Sequence, residues 1–202
     1  MIAVVKNTGG TNLNSVCNAL ARIGATFTVT GDADVIRTAE KVVLPGVGAA
    51  AHAMRRLNEA NLVPVLRGLS QPVLGICLGM QLLFEQSEEG ATPCLGIIPG
   101  DVRALKPSAP GIRVPHMGWN RLIDFDPDYP LCRSLQSHAC VYFVHSFAAT
   151  MGPWVKAIAI HGQSVPAIVQ FKNFFGCQFH PEKSAKAGEV ILRNFINMRD
   201  LP

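Results

Sequence analysis

Apolar residues along the first part of the chain fall into two alternating patterns. Short runs at IAVV (2–5), TFTVT (26–30), KVVLPG (41–46) and PVLGI (72–76) have the length and β-branched content of strands. Between them, Leu13, Val16, Leu20 and Ile23 recur at helical spacing, and Ala49 to Asn61 repeats that pattern. Strands alternating with helices predict a parallel sheet covered by helices. After about Gly90, Pro- and Gly-rich turns separate DVRAL (101–105), NRLIDF (120–125), ACVYFVHSF (139–147) and WVKAIAI (154–160), all read as strands. PAIVQF and FFGCQF, joined at Lys172 and Asn173, predict an antiparallel hairpin, and a last helix places Ala187, Ile191, Phe195 and Met198 on one face. The expected fold is α/β: one domain over 1–202, with a central, mostly parallel sheet flanked by helices and an added antiparallel portion.

Composition narrows the function classes. With 202 residues, 49% hydrophobic and 16% charged, the chain suits one substantial core and excludes a disordered or fibrous protein. The net charge of +4 comes without a basic run, so nucleic acid is not an expected partner. Six cysteines are thinly spread, none in CxxC spacing, and the six histidines do not sit at zinc-ligand intervals, so neither a metal, a cofactor nor a disulfide framework is expected. No apolar run approaches the ~20 residues that span a bilayer. MIAVVKNTGG carries no basic-then-apolar leader, and the expected location is cytoplasmic.

Candidate chemistry begins at VLGICLGMQ (73–81). Free cysteine is a small hydrophobe, and Cys77 fits a plain core position. Gly75, Cys77 and Gly79 also fit the G-x-nucleophile-x-G pattern of a strained strand-to-helix turn, where a β-carbon on either side would meet bent backbone. A nucleophile needs a base, an orienting carboxylate and an oxyanion site. QFHPEKS (178–184) offers the first two, because an imidazole at His180 can take a thiol proton while Glu182, two residues on in extended chain, orients it. Standing alone, the same His-Pro-Glu would be an exposed polar loop. The backbone N–H of Leu78, at the start of the following helix, is one expected oxyanion donor. LPGVGA (44–49) supplies the other, with Gly46 and Gly48 freeing the Val47 amide to turn inward. The same freedom marks the Val47 peptide as a candidate switch between productive and unproductive orientations.

With GICLGMQ, LPGVG and FHPE in this order, the chain resembles the class I glutamine amidotransferases, which hydrolyse glutamine with a Cys-His-Glu triad on a flavodoxin-like fold. PHMGWN (115–120), YFVHSF (142–147) and GGTNLNSV (9–16) narrow the likeness to the glutaminase subunits of imidazole glycerol phosphate synthases. The resemblance implies that Cys77 forms a glutamyl thioester, that His180 shuttles protons and that Glu182 orients it. It implies that Gln81 and the stretch His145, Ser146 and Phe147 bind glutamine beside Gly46 and Gly48. The ammonia would pass to a heterodimer partner, a (β/α)8-barrel synthase subunit, which makes imidazole glycerol phosphate and aminoimidazole carboxamide ribotide in histidine biosynthesis. Asn12, Met117, Trp119, Tyr142 and Lys183 are the expected partner surface, whereas His52, His116, His138 and His161 are given no role. Two departures touch the interface: Phe147 stands where the family often has tyrosine, and KNTGGTNLNS differs from the commoner Gly-Asn-x-x-Ser loop. The alternative is another class I glutaminase, serving purine or pyridoxal phosphate synthesis, and PHMGWN argues against it.

Overall fold

The structure is a computed structural model and describes residues 1–6, 8, 13–107 and 111–198. The expected strand and helix alternation is present as β1 (Ile2–Val5), α1 (Leu13–Arg22), β2 (Phe27–Thr30), α2 (Ala33–Thr38), β3 (Lys41–Gly46), α3 (Ala50–Glu59), α4 (Val63–Arg67) and β4 (Val73–Cys77). One helical turn, α5 (Leu78–Gln81), follows β4 directly. Next come β5 (Gln86–Ser87), β6 (Thr92–Pro93), β7 (Asp101–Ala104), β8 (His116–Arg121), β9 (Cys140–His145), β10 (Phe147–Ala149), β11 (Val155–Ile160), β12 (Ser164–Phe171), β13 (Phe174–Cys177) and α6 (Ala185–Asn197).

Seven strands form the central sheet in the order β11-β12-β13-β4-β3-β1-β2. Its middle is parallel, and β12 and β11 add antiparallel to one side. Both faces are covered, so the central strands bury every residue: β1 and β4 have no exposed position. Alternation then sorts side chains between two cores. Val42 and Leu44 of β3 pack with Leu57, Leu66 and Phe84 on one face, while Val43 joins Leu74, Ile76, Phe175 and Phe195 on the other. The stripe expected on the last helix lies there, with Ile191 and Phe195 fully buried.

Four expectations need correction. NRLIDF is not a strand: β8 runs earlier, over His116–Arg121, in register with β9 from His116↔His145 to Arg121↔Cys140. Beyond it only Ile123 bridges, to Ile158, and Asp124 turns the chain away at φ 52°. ACVYFVHSF is two strands, because pairing switches at Ser146: β9 stays with β8, whereas β10 joins β7 in a separate four-stranded sheet. Two short helices, α2 and α4, went unanticipated. Asp32 nucleates the first by accepting from the Asp34 and Val35 amides at 2.8 and 3.1 Å. Finally, Pro181–Lys183 forms a 3₁₀ turn rather than extended chain, since proline at its first position presets the helical φ and Lys183 N–H closes onto the His180 carbonyl at 3.0 Å.

The pairing of β13 with β4 positions the site. Phe174 lies opposite Val73 and Cys177 opposite Ile76, so both strands run out together at the same edge. Asn173 pins this register. Its side-chain amide, 8% exposed, donates to the Leu69 and Gln71 carbonyls at 2.9 Å each, and its carbonyl accepts from Val73 N–H at 2.9 Å. Asn173→Ala strands two carbonyls with no donor, and urea unfolding is expected to show a loss of about 1–3 kcal/mol at unchanged slope. An unchanged midpoint would contradict this anchoring role.

Candidate active site

Cys77 closes β4 at φ 52° and ψ −111°, a combination that a non-glycine residue holds only under strain. Crossing backbone maintains it. A β-carbon on Gly79 would sit 1.8 Å from the Leu44 carbonyl oxygen, and one on Gly75 would lie 2.7 Å from the Gly79 carbonyl. The two glycines are therefore obligatory for the approach of α5 to β3 and β4. With only four residues, α5 carries little macrodipole, so the field of a helix end adds little at the thiol.

From the neighbouring strand end, His180 enters the same cleft. The 3₁₀ turn brings His180 Nδ1 to 2.7 Å from Glu182 Oε1, with both side chains shut off from solvent. Ser184 steadies the turn, a part the sequence did not reveal: its hydroxyl donates to the His180 carbonyl at 2.6 Å and accepts from Tyr142 N–H at 2.9 Å. Burial alone would lower the His180 pKa. Its hydrogen bonds to Cys77 and Glu182, reinforced by their charges, outweigh that effect and raise it from 6.5 to about 9. The group is thus a cation at neutral pH, held between sulfur and carboxylate. Away from the cleft, burial pushes the Cys94 thiol up to about 11 and the Cys132 thiol up to about 12, which keeps both protonated.

A cleft of about 360 Å³ opens over the thiol. Its lining includes the expected Val47, Gly48, Cys77, Leu78, Gln81, His145, Ser146, Phe147 and His180. Gly46 lies just behind, paired with Cys77 across β3 and β4, and Gly48 takes φ +92° in open space. Glu89, Pro115 and Val144 also line it and were not anticipated. Glu89 is the one acidic side chain among these lining residues, and its carboxylate already accepts the Ala50 N–H at 2.7 Å. Gln178, likewise missed, accepts from Gln81 Nε2 at 2.9 Å and places its own Nε2 3.8 Å from Cys77 Sγ. No signal marks Glu89 in the sequence, since the one-residue steps of a short 3₁₀ segment have no periodicity to read.

The expected partner residues gather on a different surface. On β8, Met117 and Trp119 are 62% and 56% exposed, and Trp119 meets Tyr142 edge-on at 6.1 Å between ring centres. Lys183 is exposed next to Glu182. Asn12 lies outside the described residues. Among the described residues there is no helix long and apolar enough to cross a membrane.

The class-I glutamine amidotransferase family matches residues 4–198. This chain belongs to that family. Within it, the chain is 52% identical over 190 residues to the imidazole glycerol phosphate synthase subunit HisH of Xylella fastidiosa, covering 94% of both chains. The HisH subunit of Idiomarina loihiensis is 46% identical over 198 residues, covering 98% of both. Solved structures share the fold at lower identity. One described as a glutamine amidotransferase gives a TM-score of 0.72 at 19% identity, over 96% of each chain. PurLQS from Thermotoga maritima gives 0.72 at 19%, over 97% of each. As a class-I amidotransferase fold, the single α/β unit agrees with the class expected from the strand and helix alternation.

The raised His180 pKa fixes the sign of a pH effect. A group whose folded pKa exceeds its unfolded value stabilises fully below about 6.5, and that contribution is lost as pH rises through about 9. NMR titration of the imidazole is expected to show a midpoint near 9, moving lower in Glu182→Gln, which removes the carboxylate charge. A wild-type midpoint at the ordinary value would contradict the pairing.

Proposed function

We propose that this chain is the glutaminase subunit of an imidazole glycerol phosphate synthase, hydrolysing glutamine at Cys77 and delivering ammonia to a (β/α)8-barrel synthase subunit in the cytoplasm. The carrying observation is the strained thiol beside the buried His180 and Glu182 pair, in a chain half identical to HisH subunits over nearly its full length.

In the reaction, Cys77 sulfur attacks the side-chain amide carbon of glutamine, and His180 holds the thiol proton. The oxyanion is received by the Leu78 N–H and, once its peptide is turned inward beside Gly46 and Gly48, by the Val47 N–H. Collapse breaks the C–N bond as His180 gives its proton to the departing nitrogen, leaving a thioester. Water then attacks that carbonyl, with His180 as base, to release glutamate and restore the thiol. Gln81, His145, Ser146 and Phe147 form the wall for the amino-acid end of glutamine. Glu89 is the group we assign to the α-ammonium, because it is the one carboxylate among the described residues that line the cleft. No cofactor enters any step.

Met117, Trp119, Tyr142 and Lys183, with Asn12, form the proposed seat of the barrel subunit. Exposed aromatic and methionine side chains beside the triad turn suit an interface core. Freely released ammonia would be protonated in water, and occupation of this seat is the natural trigger for turning the Val47 peptide.

The test is glutamate release with and without the barrel subunit plus its nucleotide substrate. Full turnover is expected only in the complete mixture, and Cys77→Ala is expected to reduce it to background. Hydrolysis that survives Cys77→Ala would overturn the mechanism, and hydrolysis indifferent to the barrel subunit would overturn the partner. In the same assay Glu89→Gln, which keeps an acceptor for Ala50 while losing the charge, is expected to raise the glutamine KM about 10- to 100-fold with little change in kcat. An unchanged KM would remove Glu89 from the ammonium site.

A further inference from the structure

A chain of hydrogen bonds runs from β8 to the cleft through His116, which the proposed reaction does not use, and His145 in the cleft wall. Asn120 Nδ2 lies 3.1 Å from His116 Nε2, His116 Nδ1 lies 3.0 Å from His145 Nε2, and His145 Nδ1 lies 2.7 Å from the Phe147 carbonyl oxygen. Both imidazoles are nearly inaccessible, at 3% and 6% exposure. His116 is further sandwiched between Phe143 and His161, stacked at 4.4 and 4.1 Å between ring centres.

Both ends of the chain dictate its direction. The Arg121 N–H donates to Asn120 Oδ1 at 2.8 Å, and Asn120 Nδ2 donates to the Ile160 carbonyl at 2.8 Å, so the amide is oriented with its nitrogen toward His116. His116 Nε2 must therefore accept, and its proton resides on Nδ1. That proton is donated to His145 Nε2, which leaves the His145 proton on Nδ1. At the far end a carbonyl, which can only accept, takes it. One added proton anywhere would set two N–H groups facing each other.

The carbonyl at the end matters to the cleft. Phe147 O also accepts from Gln81 Nε2 at 2.8 Å, and the same Nε2 donates to Gln178, whose amide reaches the Cys77 sulfur. The backbone from His145 to Phe147 and the Gln81 side chain thus form one cleft wall, clamped from behind. We infer that His116 and Asn120 are positioning residues for glutamine: their hydrogen bonds fix the tautomer of His145 and through it the carbonyl of Phe147 and the amide of Gln81. This rests on glutamine being the substrate of the cleft.

The surroundings keep the chain uncharged. Burial first, then the nearby His145 and His161, depress His116 to about 3. Burial also depresses His145, with His161 and His180 adding to it against the opposing bond to Phe147, to about 4. Glu89, on the same cleft, is the one carboxylate among the described residues lining it.

Nitrogen NMR of the full chain with labelled histidine tests the chain of protons directly, whether or not glutamine is the substrate. His116 and His145 are expected to remain neutral with the proton on Nδ1 from about pH 8 to about pH 5. An Nε2–H tautomer or an imidazolium at either residue in that range would overturn the inference. Kinetics of the complete complex test its consequence. His116→Leu is expected to raise the glutamine KM about tenfold with kcat held within about threefold, and His116→Asn, which keeps a donor near the Nδ1 position, to recover most of the loss. Equal falls in kcat and kcat/KM, an unaltered KM, or no recovery in His116→Asn would contradict a positioning role.

Discussion

Everything in this site depends on the strained backbone of Cys77. A side chain at φ 52° and ψ −111° persists because α5 is pressed onto β3 at Gly79, where the Leu44 carbonyl leaves no space for a β-carbon. That bend lifts the sulfur out of the sheet, into the cleft. Had the chain continued as regular strand, alternation would have pointed the thiol into one of the two cores. The second requirement is a neighbour that ends at the same height. Parallel pairing of β13 with β4, anchored by Asn173, meets it and brings His180 to the sulfur from a separate stretch of chain.

Two sets of histidines in one small volume are then driven in opposite directions. His180, between a thiol and a carboxylate, is raised to about 9 and carries charge. His145 and His116, facing a carbonyl, an amide and each other, are lowered to about 4 and about 3 and carry none. Burial disfavours charge in all three, and partner identity decides the outcome. Separation of this kind sets a charged imidazole and fixed neutral dipoles around the same cleft.

Much of this was legible because it is local. Cys77 with Gly75 and Gly79, His180 with Glu182, and the strand runs of the first half each show within a few residues of chain. What escaped was non-local or short. Glu89 reaches the cleft from a small 3₁₀ segment and Gln178 comes to the Cys77 sulfur from a strand exit, neither with a periodic signal, and Ser184 acts by joining the His180 carbonyl to β9. His116 looked idle because His145 and Ile160 lie far along the chain and connect to it only through β-pairing and the Asn120 amide. NRLIDF misled for the opposite reason: Leu122 is buried as a strand residue would be, yet the ladder with β9 ends at Arg121 and Asp124 then turns the backbone.

The central claim, that the strained thiol and the imidazole from the adjacent strand act on one bond, is tested most directly by trapping the covalent species. Rapid quenching of the complex with glutamine, followed by peptide mass spectrometry, is expected to find a glutamyl group on Cys77 alone, accumulating further in Glu182→Gln as the second step slows. An acyl group on another cysteine, or steady glutamate release with none on Cys77, would contradict the account.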